Sequence, residues 1–153
     1  PVILVGSSMG GWIGCLLSQR LPRVAGFVGI AAAPDFTEDS FWASFTAEQR
    51  RQVMEQGAVH LPSAYGDPYV VTRRLIEDGR DHLVLRTPLR MPWPVRLLQG
   101  TEDEAVSRDT ALRLLDHIDS PNLRLTLVKG ADHRFSDPAN LAQIEQAILA
   151  VGG

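Results

Sequence analysis

Pro1-Val2-Ile3-Leu4-Val5-Gly6-Ser7-Ser8-Met9-Gly10 decides the reading of this chain. Its first half is a short apolar run rich in β-branched residues and reads as a buried strand. The run ends in Gly6-Ser7-Ser8-Met9-Gly10, after which Trp12, Ile13, Leu16, Leu17 and Leu21 recur at helical spacing until Pro22. Strand, sharp turn and helix form the setting that the pattern G-x-S-x-G requires of a nucleophile elbow. Such a turn holds its serine in a strained backbone conformation and lifts the hydroxyl above the sheet edge. Ser8 is the candidate rather than Ser7, because only Ser8 has glycines at the right offsets. Gly6 and Gly10 are expected where a side chain would collide with the neighbouring strand or helix. The plainer alternative is a Gly/Ser turn that only links a strand to a helix. An elbow requires an acid and a histidine further along the chain.

Outward from the elbow, Val24 to Ala33 is a second apolar run, so strand, helix and strand make a βαβ unit. Pro34-Asp35 breaks it. From Phe36 to about Pro94 the character changes: Phe36, Phe41, Trp42, Phe45, Met54, Tyr65 and Tyr69 occur without strand-like alternation. Thr46-Ala47-Glu48-Gln49 reads as a capping box opening a helix to about Gln56. A short extended hairpin is expected over Val59 to Tyr65, and a second helix from about Tyr69 to His82. Val95 to Gly100 is a third buried strand. Ser107 caps a helix expected to be buried through Ala111, Leu112, Leu115 and Ile118. Leu123 to Val128 is a fourth strand, and Asp137-Pro138 opens a last helix packing through Leu141, Ile144 and Ile148. The pattern predicts an α/β fold with a mainly parallel sheet flanked by helices. It divides into a core part at 1–34, an inserted cap at 35–94 and a second core part at 95–153.

Composition bounds the rest. The chain has 153 residues and a formal net charge of −3, with Lys and Arg scattered, which argues against a nucleic-acid or anionic-membrane partner. The single cysteine, Cys15, falls in the helix after the elbow, excludes an internal disulfide and reads as a small buried hydrophobe. No stretch approaches the length of a membrane span and no signal peptide is visible, so a reducing, cytoplasmic location is the default expectation. A chain that begins with Pro1 inside a central-type strand predicts that an N-terminal part is missing.

In open parallel sheets chemistry collects at the carboxyl ends of the strands. Ser8 follows the first strand, Gly100-Thr101-Glu102-Asp103 the third and Ala131-Asp132-His133 the fourth. The order Ser, Asp, His is that of α/β-hydrolases. Ser8 is the candidate nucleophile, His133 the base that takes its proton and returns it to the leaving group, and Asp103 the acid that fixes the imidazole tautomer. Asp35 is the rival acid, since it too follows a strand. Glu102, Glu104 and Asp132 are expected to be solvated turn residues, and His60, His82 and His117 to sit in the cap or on a helix. The backbone N–H of Met9 at the helix start is one oxyanion donor. The second is expected from a loop after an earlier strand. Phe36, Trp42 and Phe45 are the candidate substrate contacts, pointing to a hydrophobic acyl group. No metal or cofactor is called for.

These stretches resemble a family. Val2-Ile3-Leu4-Val5-Gly6-Ser7-Ser8-Met9-Gly10-Gly11-Trp12, Ile30-Ala31-Ala32-Ala33-Pro34-Asp35-Phe36-Thr37-Glu38-Asp39, Arg96-Leu97-Leu98-Gln99-Gly100 with Asp103, and Asp132-His133-Arg134 are similar to the α/β-hydrolases called alpha/beta hydrolase domain-containing protein 10. The elbow and the Gly-x-x-Asp turn are common to the superfamily, whereas the Ala-Pro-Asp-Phe-Thr-Glu-Asp run is narrower. Ser107 stands where a proline is common. The resemblance implies a serine esterase or thioesterase acting on small-molecule or acylated-protein esters or thioesters, with the triad Ser8, Asp103 and His133; the style of the sequence itself points to a bacterial source. The alternatives are a peptidase or acyltransferase using the same triad, or a non-catalytic binding fragment whose first strand edge seeks a partner.

Overall fold

The computed structural model describes residues 1–63 and 66–153; Tyr65 of the expected cap aromatics lies outside them. By their internal contacts these residues divide into two compact units, one comprising Pro1–Pro34 with Val84–Gly153, the other Asp35–Leu83.

The first unit is built on a four-stranded parallel sheet. Its strands are β1 (Val2–Ser7), β2 (Val24–Ile30), β6 (Val95–Gly100) and β8 (Leu123–Val128), in the spatial order β1-β2-β6-β8. Helices α1 (Met9–Ser18), α4 (Arg108–His117) and α5 (Pro138–Gly152) connect and cover them. The runs rich in Val, Ile and Leu become strands because a sheet carrying helices buries apolar side chains on both faces. Around Val28, Ile30 and Leu98 the core is closed by Ala131, Phe135, Ala147 and Val151, with Ile3, Ile144 and Ile148 packed against it. Among the described residues β1 pairs only with β2, and Val2 and Val5 remain about half exposed.

Two helices bury the expected stripe only in part. In α4, Ala111, Leu114 and Ile118 are buried while Leu112 is exposed, because the 3.6-residue period puts 111, 114 and 118 on one face. In α5, Ile144 and Ile148 pack against the core as expected, but Leu141 is exposed and the fully buried residues are Asn140, Ala147 and Val151.

The second unit ends at Leu83 rather than near 94. Residues beyond it belong with the sheet: Val84, Leu85, Leu89 and Met91 are buried, and a two-residue strand β5 (Leu89–Arg90) pairs in parallel with β7 (Ile118–Asp119) after α4. Asp35–Leu83 has its own core of Phe45, Val53, Val59, Val71 and Ile76. Thr46 and Gln49 form the expected reciprocal capping box, with bonds of 3.1 and 2.9 Å, at the start of α2 (Ala47–Arg51). The helix continues as a wider π-type turn over Gln52–Gln56, and Gly57, at φ 88°, ends it. A similar π-type segment spans Thr37–Trp42. The hairpin is longer than expected, with β3 (Ala58–Ser63) antiparallel to β4 (Gly66–Thr72), so α3 (Arg73–Arg80) begins four residues after Tyr69. Thr72 caps it, its hydroxyl accepting from Leu75 N–H at 3.1 Å.

One sheet contact is unfavourable. Arg96 on β6 stands directly opposite Arg124 on β8. Its guanidinium donates from Nη1 to the carbonyls of Val95 and Asn122 and to Asn122 Oδ1 at 2.8–3.1 Å. Burial first, and the Arg124 charge second, hold the Arg96 proton less firmly than usual. Arg124→Thr removes the repulsion and is expected to raise stability by about 0.5 kcal/mol, less at high salt. Urea unfolding at low and high ionic strength measures it, and a destabilised variant contradicts it.

Candidate active site

The elbow is built where β1 passes into α1. Ser8, at φ 54° and ψ −121°, occupies a region that L-residues rarely adopt. Backbone bonds hold it there: Ser8 N–H donates to Ile30 O at 2.9 Å, and its carbonyl accepts from Gly11 N–H at 2.9 Å and Ala33 N–H at 3.0 Å. Ser8 stands at the N-cap of α1, a position where serine usually caps, yet its side chain makes no capping bond. Met9 opens the helix, so its N–H belongs to the group of donors that the helix itself cannot satisfy.

Close approach, rather than backbone freedom, explains the glycines, and only partly as expected. A Cβ on Gly6 would lie 2.2 Å from the Gly10 carbonyl oxygen. At Gly10 itself, a Cβ would meet nothing within 4 Å among the described residues, so the expected collision there is absent. The tight neighbour is Gly11, where a Cβ would lie 2.4 Å from that of Ala32 at the end of β2.

Acid and histidine come from the ends of the two strands on the far side of β2. The turn after β6 and the loop after β8 are laced together: Thr101 N–H donates to Val128 O and Glu102 N–H to Ala131 O, both at 3.0 Å, and Gly130 N–H to Thr101 Oγ1 at 2.9 Å. The two backbones approach so closely that a Cβ on Gly100 would lie 2.1 Å from Ala131 O. This lacing sets His133 Nδ1 2.9 Å from Asp103 Oδ2. The other oxygen, Oδ1, accepts from the N–H groups of Ala105 and Val106 at 2.8 Å each. The Asp103 side chain is wholly buried and that of His133 about one-fifth exposed. An ionised carboxylate only accepts, so Nδ1 carries the proton and Nε2 is left as the acceptor. The loop beyond His133 is anchored by Phe135, fully buried at φ 54°, whose N–H donates to Asp132 Oδ1 at 3.1 Å.

Asp35, buried and at φ 57°, opens the second unit, and its carbonyl accepts from Glu38 and Asp39 N–H. Glu102 and Glu104 are exposed or nearly so. His117 Nε2 contacts the carbonyls of Val84 and Thr87 at 3.1 and 2.8 Å, His82 Nδ1 that of Asp78 at 2.8 Å, and His60 is exposed on β3. Of the aromatic candidates, Phe45 is a core residue of the second unit, 6% exposed. Phe36 and Trp42 are half-buried there. Phe36 sets its edge to Phe41, and Trp42 lies between the guanidinium groups of Arg50 and Arg80, at 5.1 and 4.7 Å from the ring centre. Among the described residues no group of three or more His, Cys, Asp or Glu is placed to hold a metal ion, and no helix is long and apolar enough to cross a membrane.

No family model matches the chain. Individual proteins do. Palmitoyl-protein thioesterase ABHD10, mitochondrial, of Rattus norvegicus is 34% identical over 144 residues, 92% of this chain and 48% of the relative. A solved structure from Agrobacterium vitis S4 superposes with a TM-score of 0.93 at 39% identity, covering 97% of this chain and 60% of that one. Mouse alpha/beta hydrolase domain-containing protein 10 does so with a TM-score of 0.87 at 30% identity, covering 99% and 61%. The chain thus spans about half the length of the curated relatives it matches. It has the α/β-hydrolase fold, and in sequence and structure it is similar to alpha/beta hydrolase domain-containing protein 10.

Proposed function

We propose that the chain carries the catalytic serine, acid and histidine of an esterase or thioesterase that works through an acyl-enzyme. The observation that supports this best is the pairing of a strained, uncapped serine at a strand-to-helix elbow with a buried Asp–His couple at two other strand ends of the same sheet. In this reading Ser8 Oγ attacks the acyl carbon and His133 Nε2 takes the hydroxyl proton. Asp103 keeps the other ring nitrogen protonated and stabilises the imidazolium. The negative charge on the former carbonyl oxygen is met by Met9 N–H, reinforced by the dipole of α1. Collapse expels an alcohol or thiol, which leaves with the proton from His133. Water, deprotonated by the same nitrogen, then releases the acid and restores Ser8.

A thioester of a hydrophobic acyl group is the favoured substrate, on the strength of the rat relative's name. A fluorophosphonate probe is expected to label the protein at Ser8, to label Ser7→Ala equally and to leave Ser8→Ala unlabelled. Labelling that persists in Ser8→Ala removes Ser8 as nucleophile. Turnover on p-nitrophenyl esters, acyl thioesters and aminoacyl amides fixes the class, and a preference for amides would transfer the assignment to a peptidase.

A further inference from the structure

Gln99, the residue before the glycine that ends β6, is buried to 1% exposure and has no part in the triad. Its amide nitrogen sits among three oxygens: Val106 O at 3.0 Å, Gly100 O at 3.2 Å and Asp103 Oδ2 at 3.2 Å. Three acceptors around one group fix which end of the amide is nitrogen, since the opposite orientation would set oxygen against oxygen. The cost is visible at the other end, where Gln99 Oε1 is buried without a partner among the described residues. An orphaned buried acceptor is unfavourable, and a methionine of similar volume would fill the space without it. A purely space-filling role therefore does not account for glutamine here.

We infer that Gln99 is a positioning residue for the proposed reaction: its Nε2–H holds Asp103 Oδ2 in line with His133 Nδ1 and clamps the 100–106 turn that carries the acid. The carboxylate is then gripped at both oxygens, by two backbone N–H groups on Oδ1 and by Gln99 and His133 on Oδ2. A carboxylate held only at Oδ1 could swing about that end and lengthen its bond to the imidazole.

This inference rests on the reading of Ser8, Asp103 and His133 as a triad, and its test separates the two. In Gln99→Met, kcat is expected to fall about tenfold with KM nearly unchanged, since Gln99 is sealed from solvent. In Gln99→His, a ring N–H at similar reach is expected to recover most of the loss. The downfield proton resonance of His133 Nδ1, read by NMR in a Ser8→Ala background where no turnover is needed, should move upfield on adding Gln99→Met. A raised KM with unchanged kcat, or an unmoved Nδ1 proton, overturns the inference. Turnover retained by Ser8→Ala would instead sink the triad and leave the Nδ1 result to be judged alone. Protein with native Gln99 gives an independent reading: one Gln99 Nε2 proton should resist exchange and shift in Asp103→Asn, and an unshifted proton contradicts the contact.

Discussion

Asp103→Asn is expected to lower kcat by about ten-thousand-fold without unfolding the protein, because it reverses a tautomer rather than emptying a site. The asparagine amide can be placed in only one way. Its oxygen must take the Oδ1 position, where Ala105 and Val106 N–H donate at 2.8 Å, since an NH2 there would face two donors. The NH2 is thereby forced toward His133 Nδ1, 2.9 Å away, which now has to accept. The proton moves to Nε2, and the nitrogen that should receive the Ser8 proton becomes a donor. The same NH2 also confronts the Gln99 amide nitrogen, which adds a modest loss of stability. Turnover beside a thermal unfolding curve measures both effects. A loss below about tenfold in folded protein would show that Asp103 does not orient the base. Asp35→Asn is the control at the rival position. Asparagine tolerates a left-handed φ, so the backbone at 57° survives, and most of the turnover is expected to remain.

How far the sequence discloses this arrangement depends on what each residue's role is made of. Local chemistry reads well. The G-x-S-x-G turn, the capping box at Thr46 and the Asp137-Pro138 helix start are signals within four or five residues, and each stands where expected. Periodicity reads less well where an element is apolar on several faces. In α1, Ile13 and Leu17 are exposed although they share the helical spacing of buried Trp12, and in α4 the choice between Leu112 and Leu114 needs the partner surface. Tyr69 to Thr72 pairs with β3, a contact between segments that local pattern cannot specify. An aromatic in an excursion, Phe45 has the local signature of a substrate contact, but its partners Val53, Val59, Val71 and Ile76 make it core. Gln99 could not be found at all from spacing. Its role exists only because the turn after β6 folds Asp103 and Val106 back over the strand end.

Gly11→Ala is expected to damage the elbow more than Gly10→Ala, although Gly10 is the motif residue. The elbow needs α1 to leave β1 at once and pass close to the end of β2. At Gly11 an added Cβ would lie 2.4 Å from Ala32 Cβ and 2.8 Å from Ala32 Cα. Ala32 cannot yield freely, because the next residue's N–H is bonded to Ser8 O and Ala31, at φ 46°, is tied to Leu98 O. Relief must come from moving α1 or the end of β2, and either displaces Ser8. The expected cost is about 3 kcal/mol, near the upper range for overpacking. Gly6→Ala should cost at least as much, since its Cβ would meet the Gly10 carbonyl, a backbone atom, at 2.2 Å. At Gly10 the added methyl would enter open space among the described residues, and the residue is helical. Gly10→Ala should therefore be neutral or stabilising by up to about 1 kcal/mol, through the lower backbone entropy of alanine in the unfolded chain. Urea unfolding of the three variants gives the ranking. Adding Ala32→Gly to Gly11→Ala should recover part of the loss, since it removes the closer of the two contacts. If instead Gly10→Ala is the most damaging, the elbow is packed from a side that these strands and helices do not form. If all three are neutral, Ser8 is not held by the close approach of β1, α1 and the end of β2.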